Sequence, residues 1–173
     1  MDYMILELIQ KIRTPFLDNF FVFFTRIGNA AEIWLLVILI LFINKKTRKL
    51  AYFALAALAL ELALVELVIK PLVQRPRPFI GYDQIELLIS APNSYSFPSG
   101  HAASSFAIVA FLYLNNIKYK NILLFMAFLM AFSRLYLFVH FPSDVLVGII
   151  VGTLIAYLVN KLMIKSNNKI TNN

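Results

Sequence analysis

Apolar residues along the chain form runs separated by short polar segments, and the spacing predicts an all-α, polytopic bundle of membrane helices. The longest run, Leu50 to Ile69, is rich in Ala and Leu and holds no proline or glycine. It reads as one unbroken helix, and at about 1.5 Å per residue it spans a hydrocarbon core of about 30 Å. Residues 30–43 are almost wholly apolar and are closed by Asn44-Lys45-Lys46. Gly100 to Leu114 reads as a helix rich in Ala, Ser and Phe. Ile122 to Phe138 follows, interrupted at Ser133-Arg134, and Pro142-Ser143-Asp144 opens a last helix over Val145 to Leu162. In that helix Gly148, Gly152 and Ala156 recur every four residues, a stripe of small side chains suited to close helix packing in lipid.

Two regions break the pattern. Residues 3–13 mix Tyr3, Met4, Leu6, Leu8, Ile9 and Ile12 with Glu7, Gln10 and Lys11, as in a helix lying at the interface. Thr14-Pro15 has the form of an N-cap followed by proline at the first helical position. Residues 16–27 are aromatic but carry Asp18, Asn19 and Arg26 and are too short to cross alone. They predict a tilted or partly buried helix broken near Gly28-Asn29, which leaves five or six crossings open. The second region, residues 70–100, holds Pro71, Pro76, Pro78, Gly81, Pro92 and Pro98. It cannot be one helix, and a structured loop of this length is usually functional.

The 173 residues suit a single domain, expected over 1–162, with residues 163–173 as a flexible cytoplasmic tail. Hydrophobic residues make up 61%, well above the roughly 45–50% of a soluble domain. The net charge of +7 would suit nucleic acid in a soluble protein. Here nine of the sixteen Lys and Arg lie in three segments beside apolar runs: Lys45, Lys46, Arg48 and Lys49; Lys118 and Lys120; Lys161, Lys165 and Lys169. That is the positive-inside pattern, so the partner is a bilayer and not nucleic acid. Residues 1–11 lack the form of a cleavable signal peptide. The absence of cysteine excludes disulfides, thiolate nucleophiles and cysteine-bound metal. If each run crosses once, residues 70–100 and 137–144 share the face opposite the basic segments, away from the cytoplasm. Asp83 and Glu86 in the long loop fit that side.

Three polar clusters fall on that face. Lys70 ends the long apolar run, one turn after Glu66, and its simplest reading is snorkelling or an i,i+4 pair. Arg77 sits between Pro76 and Pro78, which hold the chain extended and suit a bidentate phosphate ligand; Arg75, before the same prolines, is expected at the rim. In Pro98-Ser99-Gly100-His101, Ser99 caps a helix, Gly100 allows close approach, and the first free amides face any anion there. His101 stands in the first turn. Arg134 lies near a membrane helix end, where a charge is costly without a partner. His140 and Asp144 are four apart, so the carboxylate can hold one ring N–H and leave the other nitrogen to attack. Two histidines and Asp144 also match a facial metal triad, but Lys70, Arg77 and Arg134 would repel a cation and attract an anion.

Lys70-x6-Arg77-Pro78, Pro98-Ser99-Gly100-His101 and Ser133-Arg134-x5-His140-x3-Asp144 resemble, at full spacing, the three signature motifs of the type 2 phosphatidic acid phosphatase family. The likeness covers about residues 50 to 160. It implies an integral membrane enzyme, typically of six helices, that needs no cofactor or metal. It implies that Lys70, Arg77, Ser99, Gly100 and Arg134 bind the phosphoryl group, that His140 becomes a phosphohistidine oriented by Asp144, and that His101 protonates the leaving oxygen and then helps water. Phe138 departs from the pattern, since many members carry glycine there. The family implies a membrane lipid phosphate as substrate, with undecaprenyl pyrophosphate first, phosphatidylglycerol phosphate and phosphatidic acid next, at a bacterial cell membrane; the charge placement is what turns the site outward. A non-enzymatic lipid-binding or transport protein is the competing class; intramembrane Glu61 and Glu66 are its best argument.

Overall fold

A computed structural model describes residues 2–82 and 85–171, so Asp83 of the long loop lies outside the described residues. All regular structure among them is helical. Helix α1 covers Asp2–Gln10 and α2 covers Pro15–Arg26. Thr14 caps α2 through its side chain, which accepts from Leu17 N, and Pro15 enters the first turn as its fixed φ allows. A 3-10 turn, Asn29–Ala31, breaks the chain where Gly28-Asn29 suggests. Helix α3 (Glu32–Ile43) and helix α4 (Arg48–Leu64) follow.

The long run does not end at Ile69, nor is it uniformly α-helical. A π turn, Val65–Ile69, follows α4, and a short helix α5, Lys70–Val73, carries the path through Pro71. The Lys70 N–H reaches back to Val65 O, one residue further than an α-helix allows. Pro71 has no N–H and would crowd the carbonyl four residues back; the wider turn relieves this and lets the helix run on. Helix α6 is Gly100–Leu114, as expected. Helix α7 runs Lys120–Tyr136 without interruption, because Ser133 Oγ donates to Met130 O inside the helix and Arg134 is buried. Helix α8 spans Pro142–Thr171, continuing past Leu162 through residues that the sequence reading leaves as a tail.

Two helical stretches, Arg48–Val73 and Pro142–Asn168, are long and apolar enough to cross a membrane; Glu32–Ile43 and Gly100–Leu114 are shorter apolar helices. Large apolar side chains face outward, among them Leu36, Leu39, Ile40, Leu67, Ile150 and Leu154. In water such a surface would be an aggregation liability; against lipid it is ordinary. The core lies around α6, whose residues from Ala102 to Val109 are all buried between α4, α7 and α8. Trp34 pins α3 to it, its ring N–H donating to Ser105 Oγ at 2.9 Å.

The closest seam joins α6 and α8. A Cβ at Gly152 would stand 2.2 Å from Ala103 O and 2.8 Å from Ala107 N, and one at Gly148 would stand 2.6 Å from Ser99 O. These obstacles are backbone and cannot swing away. Gly152→Ala is therefore expected to destabilise the protein by about 1–3 kcal/mol or more through overpacking, whereas Thr153→Ala on the exposed side stays within about 0.5 kcal/mol. Thermal unfolding in detergent checks this; a Gly152→Ala protein as stable as the parent would refute the seam.

Candidate active site

The long loop after α5 lies over the end of the bundle, and its two arginines do different work. Gln74, at φ 50, turns the chain out of α5. Arg75 and Arg77 stand two apart, a spacing at which strict alternation would put both on one face, yet around Pro76 they part to different partners. Arg77 is buried; its Nε donates to Ser94 O at 2.7 Å, Nη2 to Ser94 Oγ at 3.0 Å and Nη1 to Val139 O at 2.8 Å. The same Nη1 lies 3.2 Å from His140 Nε2. Burial lowers the Arg77 pKa to about 10, which still leaves it protonated at neutral pH. Arg75 is not a mere rim residue. Its Nη1 donates to Asp144 Oδ1 at 2.5 Å and to Ser143 Oγ at 2.8 Å, its Nη2 meets Asp2 Oδ2 at 3.1 Å, and it stacks on the Phe141 ring at 4.0 Å.

Between α7 and α8 the chain makes a tight turn. The Val139 and His140 amides both donate to Arg134 O, at 3.2 and 3.3 Å. Phe138 holds a φ of 58, a region that favours glycine. The strain costs roughly 1–2 kcal/mol. Against it, the ring is buried beside Leu6 and Phe141 and meets Tyr82 at 5.2 Å; truncating such a ring typically costs about 3–5 kcal/mol, so packing wins. His140 Nδ1 lies 2.7 Å from Ser96 O, which can only accept. Nδ1 therefore carries the proton, and the Nε2 lone pair is the one beside Arg77. Asp144 Oδ2 stands 3.7 Å from Nδ1, so the carboxylate does not take the ring N–H directly as the four-residue spacing suggests. It binds the Ser96 hydroxyl and the Phe141 amide, and Ser96 links the two side chains. Burial, with Arg134 and Arg77 pressing the same way against Asp144, holds His140 well below the usual imidazole range, so the ring is neutral at pH 7.

The start of α6 supplies the facing wall. Ser99 caps the helix, its hydroxyl accepting from Ala102 N at 3.4 Å, and its own amide donates to Asp144 O at 3.0 Å. Lys70 Nζ meets Glu66 Oε1 at 2.5 Å, the i,i+4 pair its spacing suggests. A Cβ at Gly100 would stand 2.7 Å from that Glu66 oxygen, so glycine is what lets the pair sit over the helix start. His101 Nε2 donates to Asn29 Oδ1 at 3.2 Å. Arg134 is buried, with Nη1 donating to Thr25 Oγ1 and Nε without a partner among the described residues.

Lys70, Arg77, Gly100, His101, Arg134 and His140 all line one cavity of about 720 Å³, so all three sequence clusters converge. Ser99 and Asp144 do not line it; both are buried behind the wall. Sequence reasoning missed Thr25, Asn29, Ser94 and Ser96. The only signal for the serines was their density in Asn93-Ser94-Tyr95-Ser96, inside a proline-rich loop.

The profile of the PAP2 superfamily matches residues 49–168. An undecaprenyl-diphosphatase of Sulfolobus acidocaldarius is 33% identical over 88% of this chain and 73% of its own length. The undecaprenyl-diphosphatase BcrC of Bacillus subtilis is 29% identical over 91% and 82%. Among solved structures, Aquifex aeolicus LpxE superposes with a TM-score of 0.80 at 34% identity, covering 92% of this chain and 94% of that one. The PAP2-type phosphatidylglycerolphosphate phosphatase of Bacillus subtilis gives 0.77 at 28% identity, covering 95% and 85%. The three clusters meet at one cavity in a chain whose sequence and fold align with these proteins over most of its length: the chain belongs to the PAP2 superfamily, and it is a phosphatase of that family.

Proposed function

We propose that the protein hydrolyses a membrane lipid diphosphate through a phosphohistidine on His140, with undecaprenyl pyrophosphate as the leading substrate. The observation that carries this is a neutral imidazole, Nε2 beside the Arg77 guanidinium, opening on a cavity that also holds His101, Lys70 and Arg134. Arg77, Arg134, Lys70 and the Gly100 amide bind the phosphoryl oxygens. Ser99 acts from behind by capping α6. Nε2 of His140 attacks phosphorus; the N–P bond forms as the P–O bond to the lipid breaks. His101 gives its proton to that oxygen, then takes one from the water that splits the phosphohistidine and releases phosphate. Asp144 orients His140 through Ser96, since a lost acceptor would free the ring to turn.

No metal enters this scheme. A facial triad would need oxygens of Asp144 that are already held by Ser96, Phe141 N and Arg75, and a nitrogen of His140 that faces a guanidinium. The guanidiniums and the helix start supply the charge stabilisation instead. The transport reading weakens for a related reason: Glu66 is the partner of Lys70. Two relatives act on undecaprenyl diphosphate, which favours that lipid; the structural likeness to a phosphatidylglycerolphosphate phosphatase keeps that headgroup as the second reading, ahead of phosphatidic acid. Purified protein should release phosphate from undecaprenyl pyrophosphate faster than from either phospholipid, with activity undiminished by excess EDTA. Faster release from phosphatidylglycerol phosphate would reverse the ranking; an EDTA-dead enzyme restored by magnesium or zinc would overturn the metal-free chemistry.

We further propose one domain with five crossings, α3, α4–α5, α6, α7 and α8, in a bacterial cell membrane, and a site facing away from the cytoplasm. Both ends of α2 support the count. Asp18 in its first turn accepts from the Tyr136 hydroxyl at the end of α7 at 2.6 Å, and Thr25 in its last turn holds Arg134. Both contacts lie towards the site, so α2 dips in and does not cross, and the six helices typical of the family are not all spanning here. Residues 44–49 and 115–120, rich in lysine, then lie inside. The chain has no cysteine, so single exposed sites can report the topology. In intact cells an impermeant maleimide should label Lys11→Cys and spare Asn116→Cys. Protection of both would restore a sixth crossing, and the reverse labelling would invert the protein.

A further inference from the structure

The cavity has a wall that the three sequence clusters do not supply. The corner between α2 and α3 contributes Thr25, Arg26, Gly28 and Asn29 to it. Two of these touch groups of the site: Thr25 holds Arg134, and Asn29 Oδ1 lies 3.2 Å from His101 Nε2. Arg26 is different. It is exposed to the cavity, and among the described residues it makes no hydrogen bond and no ion pair.

We propose that this corner is a second phosphate subsite, in which Arg26 binds the phosphate that stays on the lipid when a diphosphate is cleaved. The inference rests on the roles proposed above for His140 and His101. Attack by His140 on the terminal phosphorus breaks the bridging P–O bond. The bridging oxygen leaves with the lipid phosphate and takes its proton from His101. The departing group therefore lies on the His101 side of the cavity, and Asn29 ties that ring to the corner. Arg26 stands one helical turn before Asn29 on the same wall.

Charge matching points the same way. Lys70 is already neutralised by Glu66, and Arg75 by Asp144 and Asp2. Arg77 and Arg134 donate only to neutral groups, namely carbonyls, hydroxyls and an imidazole, so their charge is left to meet the phosphoryl group being transferred. Arg26 is one cation more than a monophosphate ester needs, because the alcohol leaving from such an ester carries no charge. A diphosphate brings a second anionic phosphate to that spot, where a guanidinium can bind two of its oxygens at once.

The test compares two lipids with one tail, diacylglycerol diphosphate and phosphatidic acid, in the purified parent, Arg26→Gln and Arg26→Lys. The ratio of kcat/KM for diphosphate over monophosphate should fall by about 10-fold or more in Arg26→Gln and recover in large part in Arg26→Lys, as loss of one charge-assisted contact implies. A ratio unchanged within about twofold, or equal losses on both lipids as a headgroup contact or a folding defect would give, overturns the subsite while leaving the phosphohistidine reading intact. A parent enzyme that cleaves the monophosphate and not the diphosphate removes the diphosphate reading, and the subsite falls with it.

Discussion

The approach of α6 to α8 without side chains between them is the constraint from which the site follows. Gly148 and Gly152 put α8 against the backbone of α6 at Ser99, Ala103 and Ala107. In lipid no hydrophobic effect drives helices together, so contact of this closeness must come from packing and hydrogen bonds. At the top of the seam it becomes a backbone hydrogen bond, from Ser99 N to Asp144 O. The first turn of α6, carrying Gly100 and His101, is thereby fixed to the first turn of α8, carrying Asp144. His140 hangs from the same point through Ser96 and the turn before Pro142. A shift of the seam by the width of one methyl group would separate the two imidazoles' supports, which is why the glycines belong to the chemistry as much as to the fold.

The second organising fact is where charge is cancelled and where it is left. Asp144 is buried and takes bonds from Arg75, Ser96 and the Phe141 amide, so its charge is spent inside the wall. A buried carboxylate that keeps its charge is costly unless it is held in this way. Arg77 and Arg134 point the other way, into the cavity, bound by carbonyls and hydroxyls that orient them without neutralising them. An anion entering between them meets preorganised donors that need no reorganisation to bind it. The long loop makes this possible. Its Ser94 and Ser96 carbonyls hold a guanidinium and an imidazole, so the segment that lacks helix is the one that builds the site.

Much of this was legible in the sequence because it rests on local rules. The Thr14-Pro15 start of α2, the Ser99 cap of α6, the Lys70–Glu66 pair and the Gly148–Gly152 stripe are each set by residues a turn or two apart, and each stands where the pattern placed it. What depended on long-range contact was not legible. That Arg75 would part from Arg77, two residues on, and find Asp144 far along the chain was beyond any local period, since alternation puts such a pair on one face. The spacing of His140 and Asp144 suggested a direct bond, and Ser96, from a loop with no period, came between them. The π turn at Val65–Ile69 and the continuation through Pro71 also left no mark, since a proline after an apolar run ordinarily signals its end. Phe138 was visible only as a departure; its positive φ explains both why glycine suits the position and why a deeply packed ring can hold it.

The central claim is that His140 carries the phosphoryl group between lipid and water. Mixing the purified protein with a lipid diphosphate labelled in its terminal phosphate, and quenching within a turnover under alkaline conditions, tests it directly. The account predicts one acid-labile, base-stable phosphate on the peptide that contains His140, present in the parent and in Asp144→Asn and missing in His140→Ala, which should also release no free phosphate. Phosphate release by the His140→Ala protein at the parental rate, or label on any other residue, would contradict it.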